Sequence, residues 1–118
     1  DARLLLVFGC GGERDKGKRK MMGMVAEKFA DLVFITDDNP RNENPASIRN
    51  EIASHCKKSI NVEGRRKAIA KAINIMKKND ILLIAGKGHE KTQEIKDKVL
   101  LFDDEIVAKE YCYKRLSL

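Results

Sequence analysis

Tryptophan is absent from this chain, and aromatic residues make up only 5% of it, so there is no aromatic-rich strand on which unstacked bases could be read. The three cysteines, Cys10, Cys56 and Cys112, stand far apart and form no C-x-x-C pair. Such spacing argues against a disulfide or metal framework and for a reducing, cytoplasmic setting. Long hydrophobic runs are missing too. Leu4 to Phe8 and Ile81 to Ala85 are strand-sized, far short of the roughly 20 residues of a membrane-spanning helix. No signal-peptide pattern opens the chain. Because Asp1 stands so close to the first apolar run, a domain boundary inside a longer protein is expected there. Repeats, low-complexity tracts and linkers are likewise missing.

What remains is an ordinary globular composition. The 118 residues are 42% hydrophobic and 36% charged, enough for one domain with a single core and too apolar for a disordered segment. The net charge of +6 invites a nucleic-acid reading. Lys and Arg are scattered among Glu and Asp, however, and form no basic tail. A solvated basic surface that handles phosphates or acidic metabolites is the better reading, with neither nucleic acid nor membrane as partner.

Apolar runs and helical periodicities alternate along the chain. Leu4-Leu5-Leu6-Val7-Phe8 is continuous and ends in Gly9, the pattern of a strand buried on both faces. A helix is expected from about Lys16 to Ala30, with Met21, Met22, Val25 and Phe29 on its inner side. Leu32 to Ile35 predicts a second strand. Asn44 caps a helix with Pro45 at its first position and Ile48, Ile52 and Cys56 at four-residue intervals. Ile60 to Val62 predicts a short third strand. Arg65 to Lys78 predicts a helix with Ile69, Ala72, Ile73 and Met76 on one face, and Asp80 to Ala85 a fourth strand. Glu94 to Phe102 is hairpin-like and could add an antiparallel strand. A last helix, capped by Asp103 or Asp104, carries Val107, Ala108, Tyr111 and Cys112. This order predicts a single doubly wound, mostly parallel, Rossmann-like α/β sheet with helices on both faces. Ligands collect beyond the carboxyl ends of such strands. All three polar clusters of the sequence fall there: Gly9 to Arg19, Asp37 to Arg41 and Gly86 to Glu90.

Thr36-Asp37-Asp38-Asn39-Pro40-Arg41 brings two carboxylates, an amide and a guanidinium to a strand end, a set suited to a small molecule with both an amine and a carboxylate. Arginine can donate two parallel hydrogen bonds to a carboxylate, and Asp38 could hold an ammonium or orient Arg41. Asn-Pro is also a common turn former, which would leave Arg41 merely exposed. Gly12 to Arg19 nearly matches the phosphate-binding pattern G-x-x-x-x-G-K-S/T, and Asp37-Asp38 stands where a Mg²⁺-binding partner would. The match fails at Arg19, which replaces the metal-binding hydroxyl. Glu13, Arg14 and Asp15 are also bulky and charged for a loop whose backbone must wrap a phosphate. A glycine turn before a basic helix, a loop whose side chains bind anions and a small P-loop-like nucleotide-binding domain all stay open. Gly86-Lys87-Gly88-His89-Glu90 lacks the third glycine of a dinucleotide fingerprint. Its small residues would let a ligand approach the backbone, where Glu90 would meet an ammonium. His89 and His55 read as structural or surface residues.

Taken together, Phe8 to Arg19, Thr36 to Arg41 and Ala85 to Glu90 occur in the order and approximate spacing of one family. Glu43, Pro45 and Val62-Glu63-Gly64-Arg65 agree with it. The chain closely resembles the C-terminal domain of the Mur ligases of peptidoglycan synthesis, in the branch that makes the UDP-N-acetylmuramoyl-tripeptide with meso-diaminopimelate. The resemblance covers essentially the whole chain; Lys20 departs from it, since proline is common there.

The resemblance implies an ATP-dependent, amide-bond-forming ligase whose last domain is residues 1–118. An N-terminal domain for the UDP substrate and a central domain with the true P-loop, Mg²⁺ sites and a carbamylated lysine would lie outside this chain. ATP and Mg²⁺ would then be bound mainly by the central domain. The implied reaction phosphorylates the carboxylate of UDP-MurNAc-L-Ala-D-Glu, and the incoming amine displaces phosphate through a tetrahedral intermediate. The C-terminal domain would bring the amino acid and swing against its own central domain to close the site. The D-N-P-R form goes with meso-diaminopimelate, whose distal carboxylate lysine lacks. Arg41 is its implied partner and Arg14 a second carboxylate ligand. Asp38, Asn39, Pro40, Gly86 and Glu90 complete the implied site, and no catalytic or metal-binding residue is implied in this domain.

Overall fold

A computed structural model describes residues 2–116. Its strands are β1 Leu4–Phe8, β2 Leu32–Ile35, β3 Ser59–Asn61, β4 Ile81–Ile84, β5 Thr92–Ile95 and β6 Lys98–Leu101. Its helices are α1 Gly17–Phe29, α2 Pro45–Ala53, α3 Arg65–Ile75 and α4 Asp104–Leu116. The first four strands pair in parallel in the order β3-β2-β1-β4. Alternate side chains of a strand point to opposite faces, so a strand between two helical layers must be apolar at every position. β1 meets that requirement. Phe8, Val33 and Ile35 pack beneath α1 and α2, while Val7 and Phe34 pack beneath α3 and α4. The doubly wound architecture expected from the sequence is the one observed.

Several details differ from expectation. β5 and β6 form their own two-stranded antiparallel sheet rather than extending the main one. A parallel backbone bridge ties them to the loop after β2: Arg41 N donates to Glu94 O at 3.0 Å and Lys96 N donates to Arg41 O at 2.7 Å. The third strand begins one residue early, at Ser59, and α3 stops at Ile75 because Met76 turns extended (ψ 141°). Asp103 caps α4, its Oδ1 accepting from Glu105 N and Ile106 N; Asp104 is used elsewhere. Cys112 is exposed, not inward.

The inner stripe of α1 is the largest correction. Met21, Val25 and Phe29 are 65, 55 and 66% exposed, whereas Arg19, Gly23 and Ala26 are buried. Gly23 explains why. A Cβ added there would lie 2.6 Å from Ile52 O, so α1 and α2 approach too closely for large side chains between them. The displaced apolar stripe faces outward beside β4, whose Ile81 and Leu83 are also exposed.

Three arginines are buried near the carboxyl edge of the sheet, each against an acid. Arg19 holds Glu43 through both terminal nitrogens (2.9 and 3.1 Å) and also reaches Glu51 and Gly11 O. Arg49 donates to Asp37 at 2.5 Å and to Asn61 at 2.8 Å. Arg65 makes two bonds to Asp104 (2.7 and 2.6 Å) and two more to Asp37 O and Ala85 O. Part of the basic composition is thus internal bracing, which weakens the nucleic-acid reading.

One brace has a measurable pH signature. Hydrogen bonds from Arg19 and then from Glu13 N hold the Glu43 carboxyl well below the carboxylate range, at about 2 instead of 4.5. A depressed folded pKa stabilises the fold above the unfolded value, and that contribution is lost as pH falls through the folded one. Asp80, held to about 2 by Arg3, titrates over a similar window. We expect Glu43→Gln to melt lower than wild type near neutral pH and to lose less of its stability between about pH 4.5 and 2. Thermal melts across that range check this; parallel curves for the two proteins would show that the pair contributes nothing.

Candidate functional site

The carboxyl ends of β1, β2 and β4 open onto a cavity of about 490 Å³. It lies where the strand order reverses direction, between β1 and its neighbours on either side. The loop after β1 contributes Gly9 to Gly11, Arg14 and Asp15, and α1 contributes Lys18 and Met22; the loop after β2 contributes Asp38, Asn39 and Arg41; the loop after β4 contributes Gly86 and Glu90. Of the expected site residues, Pro40 alone is off the wall. It shapes the turn behind it, its carbonyl accepting from Glu43 N at 3.0 Å.

Glycines bring these loops together. A Cβ on Gly12 would sit 1.9 Å from Pro40 O, and Gly12 N donates to Asn39 O at 2.7 Å. The glycine-rich loop therefore allows one main chain to lie directly on another. Gly86 adopts φ 108°, and a Cβ there would stand 3.3 Å from Asp38 Oδ2.

Arg41 is both a turn residue and a wall of the cavity. Its backbone is left-handed (φ 53°), a conformation that persists in a non-glycine residue only when the surroundings over-determine it. The bridge to β5 does so. Its Nη1 donates to Gly12 O at 2.8 Å and more weakly to Asn39 O at 3.4 Å, while Nε stands 3.5 Å from Glu94. Arg14, by contrast, is exposed, and among the described residues it donates to Glu13 O alone, at 3.4 Å. The two guanidiniums present one fixed and one adjustable cation to the same space.

Asn39 has more structural work than expected. Its Oδ1 accepts from Lys87 Nζ and from Glu94 N, both at 2.9 Å, which ties the β2 loop to the hairpin. Asp38 Oδ1 is buried and pairs with Lys87 Nζ at 3.1 Å as an ion pair without a hydrogen bond. Lys87 was not foreseen as part of this assembly, nor were Asp15 and Lys18 as wall residues. The flanking glycines of Gly86-Lys87-Gly88 were the available signal. Glu90 is exposed on the cavity wall, and His89 is exposed away from it. Cys10, on the floor, has its thiol pushed up to about 11, chiefly by burial, so it remains protonated and is a poor nucleophile.

The phosphate-loop reading fails on geometry. Arg19 is buried on Glu43, Glu13 N donates to the Glu43 carboxylate, and Gly17 N donates to Asp15. Donors that would cradle a phosphate are taken by the protein's own acids. Asp37 is held by Arg49 and Gly64 N and does not line the cavity.

The doubly wound sheet and its amphoteric cavity at the strand ends define a class that comparison with known proteins supports. A family model described as Mur ligase, glutamate ligase domain, matches residues 1–88, and the chain belongs to that family. Among curated relatives, it is 55% identical over 103 residues to the UDP-N-acetylmuramoyl-L-alanyl-D-glutamate--2,6-diaminopimelate ligase of Anaplasma marginale (strain St. Maries), covering 86% of this chain and 22% of that one. Identity to the ligase of the same name from Rickettsia felis is 57% over 112 residues, covering 92% and 21%. A solved structure of a ligase with that name superposes with a TM-score of 0.91 at 36% identity, over 97% of this chain and 24% of the other. The chain thus spans between a fifth and a quarter of the length of these relatives. Among the described residues, no helix is long and apolar enough to cross a membrane.

Proposed function

We propose that this chain is the amino-acid-binding domain of a cytoplasmic ligase that adds meso-diaminopimelate to UDP-MurNAc-L-Ala-D-Glu. The observation that carries the proposal is the convergence of Arg14, Arg41, Asp38 and Glu90 on one cavity. Diaminopimelate carries two ammonium groups and two carboxylates, and the wall offers both signs of charge at fixed places. Arg41 takes the distal carboxylate through its planar fork and Arg14 a second carboxylate. Glu90 and Asp38 face the ammonium groups, and Asn39 and Gly86 shape the approach.

In this proposal ATP and Mg²⁺ act outside the chain, on a central domain of the longer protein, where the UDP-linked carboxylate becomes an acyl phosphate. The amine held here attacks that carbonyl, the C–N bond forms, and the C–O bond to phosphate breaks. This domain supplies proximity and orientation. Apolar surface left open on α1 and β4 supports its packing against the remainder of the polypeptide.

The full-length protein carrying this domain should form the UDP-tripeptide with diaminopimelate in an ATP-dependent assay; failure to use that amino acid would overturn the proposal. The 118-residue chain by itself should release no phosphate from Mg²⁺-ATP. Sustained release, abolished by Lys18→Ala, would restore the nucleotide-binding alternative.

A further inference from the structure

We infer that Lys87 sets the amino-acid preference of the cavity: its buried ammonium neutralises Asp38 from behind, which keeps the cavity receptive to a ligand with two carboxylates. The inference rests on the diaminopimelate site proposed above. Gly86 and Gly88 on either side have positive φ (108° and 57°), and between these two turns the Lys87 side chain is directed inward, leaving the residue only 2% exposed. Nζ donates to Asn39 Oδ1 at 2.9 Å and to Thr92 O at 2.7 Å, and stands 3.1 Å from Asp38 Oδ1. Lys87 is not on the cavity wall, so it acts through its neighbours as a positioning residue.

The charges around the cavity show why this matters. Arg14, Lys18 and Arg41 line it against Asp15, Asp38 and Glu90. Behind the wall, Lys87 meets Asp38 as Glu94 meets Arg41. The two signs are balanced. Loss of Lys87 leaves one carboxylate in excess, and the excess falls on Asp38, whose Oδ1 is buried without a hydrogen bond. Diaminopimelate has no net charge near neutral pH, whereas lysine, which lacks the distal carboxylate, is a cation. An uncompensated Asp38 therefore repels the second carboxylate of diaminopimelate and does not repel lysine. A purely structural lysine would affect both ligands alike.

The test measures kcat and KM for diaminopimelate and for lysine in the full-length protein, as wild type, Lys87→Met and Lys87→Gln. In both variants kcat/KM for diaminopimelate should fall about tenfold or more, mainly through KM, while the value for lysine holds or rises. Asp38→Asn added to Lys87→Met should move the ratio between the two amino acids back towards wild type, even where absolute activity stays low. If Lys87→Met does not fold, Lys87→Gln carries the test, because it removes the charge and keeps a polar side chain with hydrogen-bond donors. Equal losses for both amino acids, or an unchanged ratio in Lys87→Gln, would overturn the inference. A wild-type protein that cannot use diaminopimelate at all would instead overturn the proposed function.

Discussion

Arg41→Ala should lower kcat/KM for diaminopimelate by about 30-fold to several thousand-fold in the full-length protein, and leave the value for lysine nearly unchanged. Truncating one member of a desolvated, hydrogen-bonded charge pair costs roughly 2–5 kcal/mol, much of it from leaving the other charge unpaired. Lysine has no distal carboxylate, so in the proposed site it would not use that pair. The side chain is 15% exposed and already oriented by Gly12 O, so the fork stands in place before a ligand arrives. Arg41→Lys should recover only a fraction of the loss, because an ammonium keeps the charge and cannot reproduce two parallel donors. Kinetics for both amino acids in the three proteins decide the matter. Equal losses for diaminopimelate and lysine would mean that Arg41 serves only the turn in which it sits.

The second large effect concerns folding. Arg65→Ala should destabilise the domain by roughly 3–5 kcal/mol, because it strands the buried Asp104 carboxylate. It also removes donors from Asp37 O and Ala85 O, the carbonyls at the ends of β2 and β4. Against a typical total of about 5–15 kcal/mol, such a loss leaves little reserve. Replacing both partners, as Arg65→Met with Asp104→Leu, should cost much less than Arg65→Ala, since removing a buried pair whole is often close to neutral. Denaturant titrations of the single and double variants measure the difference. A single variant within about 1 kcal/mol of wild type would show that solvent reaches Asp104 readily.

The sheet was legible from its apolar runs, because a parallel strand buried on both faces has little choice of composition. Leu4 to Phe8 and Leu32 to Ile35 appear with the boundaries their residues suggest. Asn44 could be read as a cap because its carboxamide acts on amides two and three residues later. The cavity was legible for a topological reason: strands that all run one way place every following loop on the same edge.

What could not be read were pairings between residues far apart in the chain. Arg65 and Asp104 are 39 positions apart, and Arg19 and Glu43 are 24 apart. A buried arginine is indistinguishable from a surface one until its acid is located. The same blindness turned α1 around. Its four-residue apolar rhythm is real, but Met21, Val25 and Phe29 form the outer stripe because Gly23 and Arg19 take the inner one. The hairpin was visible as a hairpin, while its attachment beside the main sheet depends on the backbone clasp at Arg41, which no local pattern encodes.

The clasp also divides the two cavity arginines thermodynamically. Immobilising a flexible side chain at an interface costs about 0.5–1.5 kcal/mol. For Arg41 most of that ordering takes place during folding, when its main chain joins Glu94 and Lys96 and its Nη1 settles on Gly12 O. Arg14, exposed and held by one long bond to its neighbour's carbonyl, still has its rotamers to lose. If the two arginines bind carboxylates as proposed, capture by Arg41 should carry little entropic penalty and capture by Arg14 most of it. In the proposed site, the ordered arginine would meet a carboxylate with its geometry already set, and the loose one would regain disorder on release.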